Sequence, residues 1–193
     1  NINCPENYGP DYDFGAPSIL IKRKNEADII VAGQKSGMVF GINPEDGTEL
    51  WHTRVGRGGI MGGIHWGMAT NGKQLFVPIN DQSVYEADKN KPTKAGLHAL
   101  DITSGEILWS KLEENRCEAN LDWNCYPGLS AAITAIPGLI FGGALDGVVH
   151  AYDDKTGDVL WAFDTNIDFT SVNGVTAFGG SIDSSGPVIA GSQ

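Results

Sequence analysis

Two aspartates stand two residues apart in the stretch Pro10-Asp11-Tyr12-Asp13-Phe14-Gly15. A carboxylate that is positioned and partly shielded can take a proton from a hydroxyl group. Lys35 lies in Gln34-Lys35-Ser36-Gly37, and a fixed cation steadies negative charge building on a bound group. His65 and Trp66 close a glycine-rich run that begins at Gly58. An imidazole can donate a hydrogen bond, and glycines let backbone come close to a flat ligand. Asn173-Gly174 and Gly179-Gly180 are weaker signals, readable as channel lining or as turns. Each feature has a plain structural reading too. Asp13 follows Gly9-Pro10 and suits a surface turn, Lys35 suits an exposed turn, and His65-Trp66 suits a strand with a satisfied histidine. The glycine run is not a nucleotide-phosphate loop, because no strand–GxGxxG–helix context surrounds it. Ser184-Ser185-Gly186 lacks a nucleophile-elbow context and His–Asp partners, which excludes a serine hydrolase.

The elements that position these residues must come from an acidic, glycine-rich globular chain. Lys and Arg total 13 against 24 Asp and Glu, a net charge of −11. That balance leaves no electrostatic footprint for phosphate backbones and excludes nucleic acid as a main partner. Hydrophobic residues at 41% and charged residues at 19% predict a packed core rather than disorder. The 26 glycines predict many turns between short strands. The uncharged run from Leu129 to Leu145 is broken by Pro137-Gly138. It therefore reads as two buried strands around a turn, not as a membrane span, which needs about 20 continuous apolar residues. The chain starts at Asn1 with no basic-then-apolar leader, as expected of a processed chain or a piece of a longer one. Cys4, Cys117 and Cys125 fit neither a zinc framework nor a C-x-x-C-H haem site. Cys117 and Cys125 flank the polar loop Glu118 to Asn124 and suit either a local disulfide or two free thiols. A bonded pair would indicate an oxidising compartment.

One motif recurs three times, in Gly41–Trp51, Ala99–Trp109 and Ala151–Trp161. Each has a small residue, Asp or Asn two positions later, Gly four after that, and Leu-Trp at the end. Strand-like runs precede the motifs at Met38–Ile42, Leu97–Leu100 and Val148–Tyr152. The Asp/Asn-x-x-x-Gly core supplies the turn, with a glycine free to take positive φ. A second strand, ending in Leu-Trp, completes a hairpin. A repeat of roughly 50 residues signals stacked units, and a tryptophan at constant position suits the seam between four-stranded blades. Phe40, His98 and His150 share one slot of the repeat, so the two histidines read as structural residues rather than as a metal cluster.

These segments resemble the tryptophan-docking motif of quinoprotein alcohol dehydrogenases, which carry pyrroloquinoline quinone (PQQ). The likeness is strongest to polyvinyl-alcohol-dehydrogenase-like members. It extends through Pro10–Gly15, Gly62–Gly67, Gly142–Gly147 and Val172–Val175. The resemblance implies an all-β fold, a partial β-propeller of four-stranded antiparallel blades, about three to four of the family's eight. The expected blades are 16–62, 63–124 and 125–175, with the next starting over 176–193. An apolar run at Val188-Ile189-Ala190 looks like a further strand. The chain then looks like the C-terminal portion of a longer propeller. A ring of three blades has two open edges, which self-association or the remaining blades would cover.

Residue by residue, the resemblance implies that Asp13 is the catalytic base and a metal ligand. Tyr12 stands where the family commonly has Trp, and Gly15 stands where lanthanide-using relatives have a second Asp, so Ca²⁺ is the expected metal. The Glu and Asn that complete the family's metal site lie upstream of this sequence. Lys35 matches the basic residue that bonds the quinone C5 oxygen. His65 and Trp66 match an Asn-Trp pair that reaches the cofactor, with His65 donating to a quinone carboxylate. Asn173 is a further cofactor-side candidate. The implied activity is PQQ-dependent oxidation of a small or polymeric alcohol in the periplasm. Hydride passes to the quinone and electrons pass to a separate cytochrome c. The alternative is a non-catalytic propeller scaffold of the outer-membrane assembly type, which shares the tryptophan motif and carries no cofactor. The Cys117–Cys125 loop and the Asp81–Lys94 insertion are candidates to shape an entrance.

Overall fold

A computed structural model describes residues 6, 9–84, 88, 90–117 and 125–191. Cys4, the interior of the Cys117–Cys125 loop, and residues 85–87 and 89 of the Asp81–Lys94 insertion lie outside the described residues. No α-helix occurs among the described residues.

The strands form three four-stranded antiparallel meanders and a hairpin. The first sheet is β1 (Ile19–Ile21), β2 (Ile29–Gly33), β3 (Met38–Ile42) and β4 (Glu49–Arg54). The second is β5 (Ala69–Thr70), β6 (Gln74–Ile79), β7 (Gly96–Asp101) and β8 (Ile107–Leu112). The third is β9 (Thr134–Ile136), β10 (Leu139–Gly143), β11 (Val148–Asp153) and β12 (Val159–Asp164). The hairpin pairs β13 (Asp168–Thr170) with β14 (Thr176–Phe178). The Leu129–Leu145 run thus holds two strands, β9 and β10, around Pro137-Gly138, as its composition predicts, but β9 is only half-buried.

The repeat is visible atom by atom. The turn carbonyls of Asn43, Asp101 and Asp153 accept from Gly47, Gly105 and Gly157, whose φ values are 76°, 73° and 75°. The Asn43, Asp101 and Asp153 side chains accept backbone N–H groups two residues on, which holds the turn against fraying. Each third strand carries a bulge at the same point, beside the pairings Gly41 with Trp51, Ala99 with Trp109 and Ala151 with Trp161. The tryptophan is the third residue of β4, β8 and β12. Leu-Trp therefore sits near the start of its strand, not at its end as the sequence suggests. The strand runs on because its ladder to the preceding strand continues for three more residues.

The core lies in the seams between sheets. β6 sends Leu75, Val77 and Ile79 to a cluster with Val31, Val39 and Trp51 of the first sheet. It sends Phe76 to a cluster with Leu129, Ile140 and Tyr152 of the third. The period-two alternation of a strand makes this division, and each fully buried large side chain contributes about 1.5–3 kcal/mol. Trp51 lies under the next motif: its Nε1 donates to Ile102 O at 3.0 Å, and a Cβ on Gly105 would fall 2.6 Å from its Cδ2. The Trp109 ring likewise lies under Gly157, although its buried Nε1 has no hydrogen-bond partner among the described residues. Trp161 has no such cover and is 50% exposed, against 9% for Trp51. Val188–Ala190 does not form a strand. An extended segment becomes a strand only beside a ladder partner, and among the described residues none pairs with it.

Candidate functional site

Lys35 occupies the tight turn between β2 and β3, closed by Gly37 N–H to Gln34 O at 2.9 Å with Gly37 at φ 79°. Its backbone N–H donates to Asp13 O at 3.0 Å, which ties the N-terminal segment to the turn. Phe14 packs on Phe40 with ring centroids 5.8 Å apart and anchors the same segment. These contacts bring Asp11 Oδ2 to 3.2 Å and Asp13 Oδ1 to 3.0 Å from Lys35 Nζ. Lys35 is only 9% exposed. Burial works against its charge, but the hydrogen bonds and negative charges of Asp13 and Asp11 outweigh this and hold its pKa above the ordinary lysine value.

The glycine run packs directly on this turn. Gly59 and Gly63 N–H groups donate to Lys35 O at 3.1 and 2.8 Å. A Cβ on Gly58 would fall 2.7 Å from Ser36 Cα, and one on Gly63 would fall 2.6 Å from Gly37 N. These glycines serve backbone-to-backbone approach inside the protein, whereas the sequence suggests approach to a ligand. Asp81, fully buried at φ 54°, pins the run by accepting from the N–H groups of Arg57 (2.8 Å) and Gly58 (2.9 Å) and also from Lys94 (3.0 Å).

His65 and Trp66 follow the run. Their rings stand 4.9 Å apart, His65 half-buried and Trp66 exposed. His65 Nδ1 lies 3.0 Å from Ser130 Oγ, and Ser130 Oγ donates to Asp183 Oδ1 at 2.6 Å. Burial lowers the His65 pKa from the ordinary imidazole value. Asp183 opposes this, Lys35 reinforces it, and Asp13 and Asp11 oppose it. Lys35, Asp11, Asp13 and His65 thus share one electrostatic neighbourhood. Asn173 does not join it by any hydrogen bond: it sits exposed at the tip of the β13–β14 hairpin, where Ser171 Oγ donates to its Oδ1 at 2.5 Å.

Ser130, Asp183 and Asp81 escape motif reading because each is a single polar residue in an unremarkable setting. A register signal does mark Ser130, since His65 and Ser130 are each the fourth residue before the first strand of a sheet. The other histidines of the repeat are satisfied structurally. His98 contacts Ser110 Oγ and Lys94 O, both at 2.8 Å, and His150 contacts Tyr152 OH at 3.1 Å. A cavity of about 610 Å³, lined by Thr70, Gln74, Leu108, Ile136 and Asp154, lies at the tryptophan-turn end of the second and third sheets, and Lys35 does not line it. Cys117 and Cys125 are joined in a disulfide.

The ion cluster is one ammonium held between two carboxylates. The Lys35 ammonium acts on the charge of His65, and the Trp66 indole stands against the His65 ring. No group of three or more His, Cys, Asp or Glu that could hold a metal occurs among the described residues. The two carboxylates that do converge are both bonded to the Lys35 ammonium, so neither could ligate a cation without giving up that contact. The described residues alone do not make a calcium site.

A family model described as outer membrane protein assembly factor BamB (PQQ_2) matches residues 35–191. Two proteins named polyvinylalcohol dehydrogenase are each 38% identical over 195 residues. The one from Sphingopyxis sp. (strain 113P3) is matched over 99% of this chain and the one from Pseudomonas sp over 98%. The chain spans 29% of the length of each. Among solved structures, the quinohemoprotein alcohol dehydrogenase ADHIIG from Pseudomonas putida HK5 aligns with a TM-score of 0.57 and 18% identity. That alignment covers 83% of this chain and 22% of the other, and it shows the fold: a partial β-propeller.

Proposed function

The chain belongs to the PQQ_2 family, and from that premise we propose that it is a section of a PQQ-dependent alcohol dehydrogenase carrying part of the cofactor and substrate site. The observation that carries this reading is the Lys35 ammonium, buried between Asp11 and Asp13 beside the His65-Trp66 pair. The 38% identity to polyvinylalcohol dehydrogenases across almost the whole chain supports it. The substrate is an alcohol, and a polymeric one is the form that those relatives' names suggest. The disulfide supports an oxidising compartment such as the periplasm. The electron acceptor beyond the quinone is a separate protein, in keeping with a cytochrome c.

PQQ, when bound, supplies the two-electron acceptor for the alcohol. Lys35 holds an anionic oxygen of the ligand through a charge-assisted hydrogen bond. The Trp66 indole offers a face against which a flat ring lies. Two groups near the ammonium can take the hydroxyl proton: the Asp13 carboxylate, which the family resemblance selects, and the His65 imidazole. Asn173, at the exposed tip of the β13–β14 hairpin, is given no part in the site. No role is assigned to calcium, because Asp13 alone does not hold it.

The test uses the full-length protein containing this segment. Added PQQ should bind, read by its absorbance and by quenching of protein fluorescence, and should support dye reduction with an alcohol. Lys35→Ala should weaken PQQ binding about ten- to hundredfold, the worth of one charge-assisted hydrogen bond. Asp13→Asn should retain PQQ. Absence of PQQ binding in the intact protein would favour the scaffold reading that the family description carries.

A further inference from the structure

Three successive sheets place a polar side chain, or a glycine, at one equivalent step. Gly15, His65 and Ser130 are each four residues before a first strand, at Ile19, Ala69 and Thr134. The residue before the step bonds back to the preceding sheet. Ile64 N–H donates to Gln34 O (3.4 Å) and Leu129 N–H to Ile79 O (3.2 Å). Ile182 N–H donates likewise to Ala144 O (3.0 Å), so Asp183 takes the same step after the third sheet. The four positions touch in order. A Cβ on Gly15 would fall 2.8 Å from His65 O, so this place at the His65 backbone stays clear only because residue 15 is glycine. His65 Nδ1 meets Ser130 Oγ, and Ser130 Oγ meets Asp183 Oδ1.

The direction of these bonds fixes the state of the imidazole. Ser130 is fully buried and has one hydroxyl hydrogen. An ionised carboxylate only accepts, so that hydrogen lies in the 2.6 Å bond to Asp183. Toward His65, Ser130 Oγ can then only accept, and Nδ1 must carry the proton. A neutral His65 in this tautomer has its lone pair on Nε2. No described residue bonds Nε2. The order is His–Ser–Asp with serine in the middle, so Ser130 is not a nucleophile: its proton is committed to Asp183 and its oxygen is sealed from solvent.

We propose that His65 Nε2 is the proton acceptor for the substrate hydroxyl, held in the Nδ1–H tautomer by a relay through Ser130 to Asp183 that crosses three blades. The identity of the substrate rests on the function proposed above; the relay does not. In the step, the alcohol O–H bond breaks, its proton forms the Nε2–H bond, and the electron pair stays on the alcohol oxygen. The positive charge on the ring is then offset through the Ser130 bridge by Asp183. This also changes the expected role of His65, because Nε2 without a hydrogen accepts from a ligand and does not donate to a quinone carboxylate. The charged groups that face His65 are Asp183, Lys35, Asp13 and Asp11. Asp13, on this account, holds Lys35 in place instead of taking the proton.

The deciding measurement is ¹⁵N NMR of the histidine-labelled full-length protein, assigned with His65→Asn. The expected result is a His65 ring protonated at Nδ1 and bare at Nε2 near neutral pH. Asp183→Ala frees the Ser130 hydrogen to turn toward Nδ1, so the ring should shift to the Nε2–H tautomer. A wild-type ring protonated at Nε2, or one unmoved by Asp183→Ala, overturns the relay. Kinetics then test the acceptor role: His65→Asn should keep PQQ and lose about 10²–10⁴-fold in turnover, while Asp13→Asn should lose far less. Normal turnover by His65→Asn overturns the assignment even if the tautomer is as stated. Failure of the wild-type protein to bind PQQ overturns the alcohol as substrate and leaves the tautomer result to judge the relay.

Discussion

His98 and His65 both have pKa values lowered by burial, yet they do different work. His98 is enclosed, with both ring nitrogens engaged by Ser110 and Lys94. Its folded pKa lies below the unfolded value of about 6.5. The unfolded chain therefore binds the proton first as pH falls. Its contribution to stability is present above about pH 6.5 and is lost as pH drops through the lower folded value. Glu113 acts in the opposite direction, since burial raises its pKa and its contribution is lost as pH rises. Replacing one group separates the two: His98→Gln should flatten the fall in Tm between about pH 7 and pH 5, read by thermal denaturation at each pH. An unchanged slope would mean that His98 is not a source of acid sensitivity. At this scale the sequence shows Asp13, Lys35, His65 and Trp66 through their short motifs. It hides Ser130, Asp183 and Asp81, whose importance comes from what lies beside them across the fold.

The turns and strands are where the sequence is most readable. An Asp or Asn that caps its own turn and a glycine at positive φ are local requirements, so the three hairpins can be found without knowing the fold. The contact of Gly105 and Gly157 with the tryptophan of the previous motif is not local and does not show in the pattern. Two glycines separate these causes. Gly47, at φ 76°, has open space where a Cβ would stand, whereas Gly105, at φ 73°, would drive a Cβ into Trp51. Gly47→Ala should cost only the backbone strain, about 1–2 kcal/mol. Gly105→Ala should add an overpacking cost of about 1–3 kcal/mol and disturb the Trp51 fluorescence. Urea denaturation of both variants measures the difference, and equal losses would show that the seam tolerates the extra carbon. The opposite error, reading Val188–Ala190 as a strand, has the same origin: a ladder partner is not written in the segment itself.

Across the whole molecule, each sheet is covered by the turn of the next, and that succession stops at the third. The tryptophan seam is filled by Gly105 over Trp51 and by Gly157 over Trp109. On β12, Leu160, Trp161 and Phe163 are all exposed, and the Trp161 and Phe163 rings stack 6.0 Å apart on the open side. An apolar strand with an unpaired outer edge is a surface that another sheet covers. The chain spans 29% of its relatives, which makes the next propeller blade the natural cover. In the full-length protein, Trp161 should therefore resist acrylamide quenching as strongly as Trp51, tested in variants that retain only one of the two. The 193-residue chain by itself should associate, giving a mass above 20.5 kDa by light scattering, and Leu160→Glu with Phe163→Glu should return it toward the monomer. A stable monomer with Trp161 open to the quencher would break the argument from repetition: the third seam would then need no partner, and the equivalence of the three motifs would end at the hairpin instead of extending to the ring.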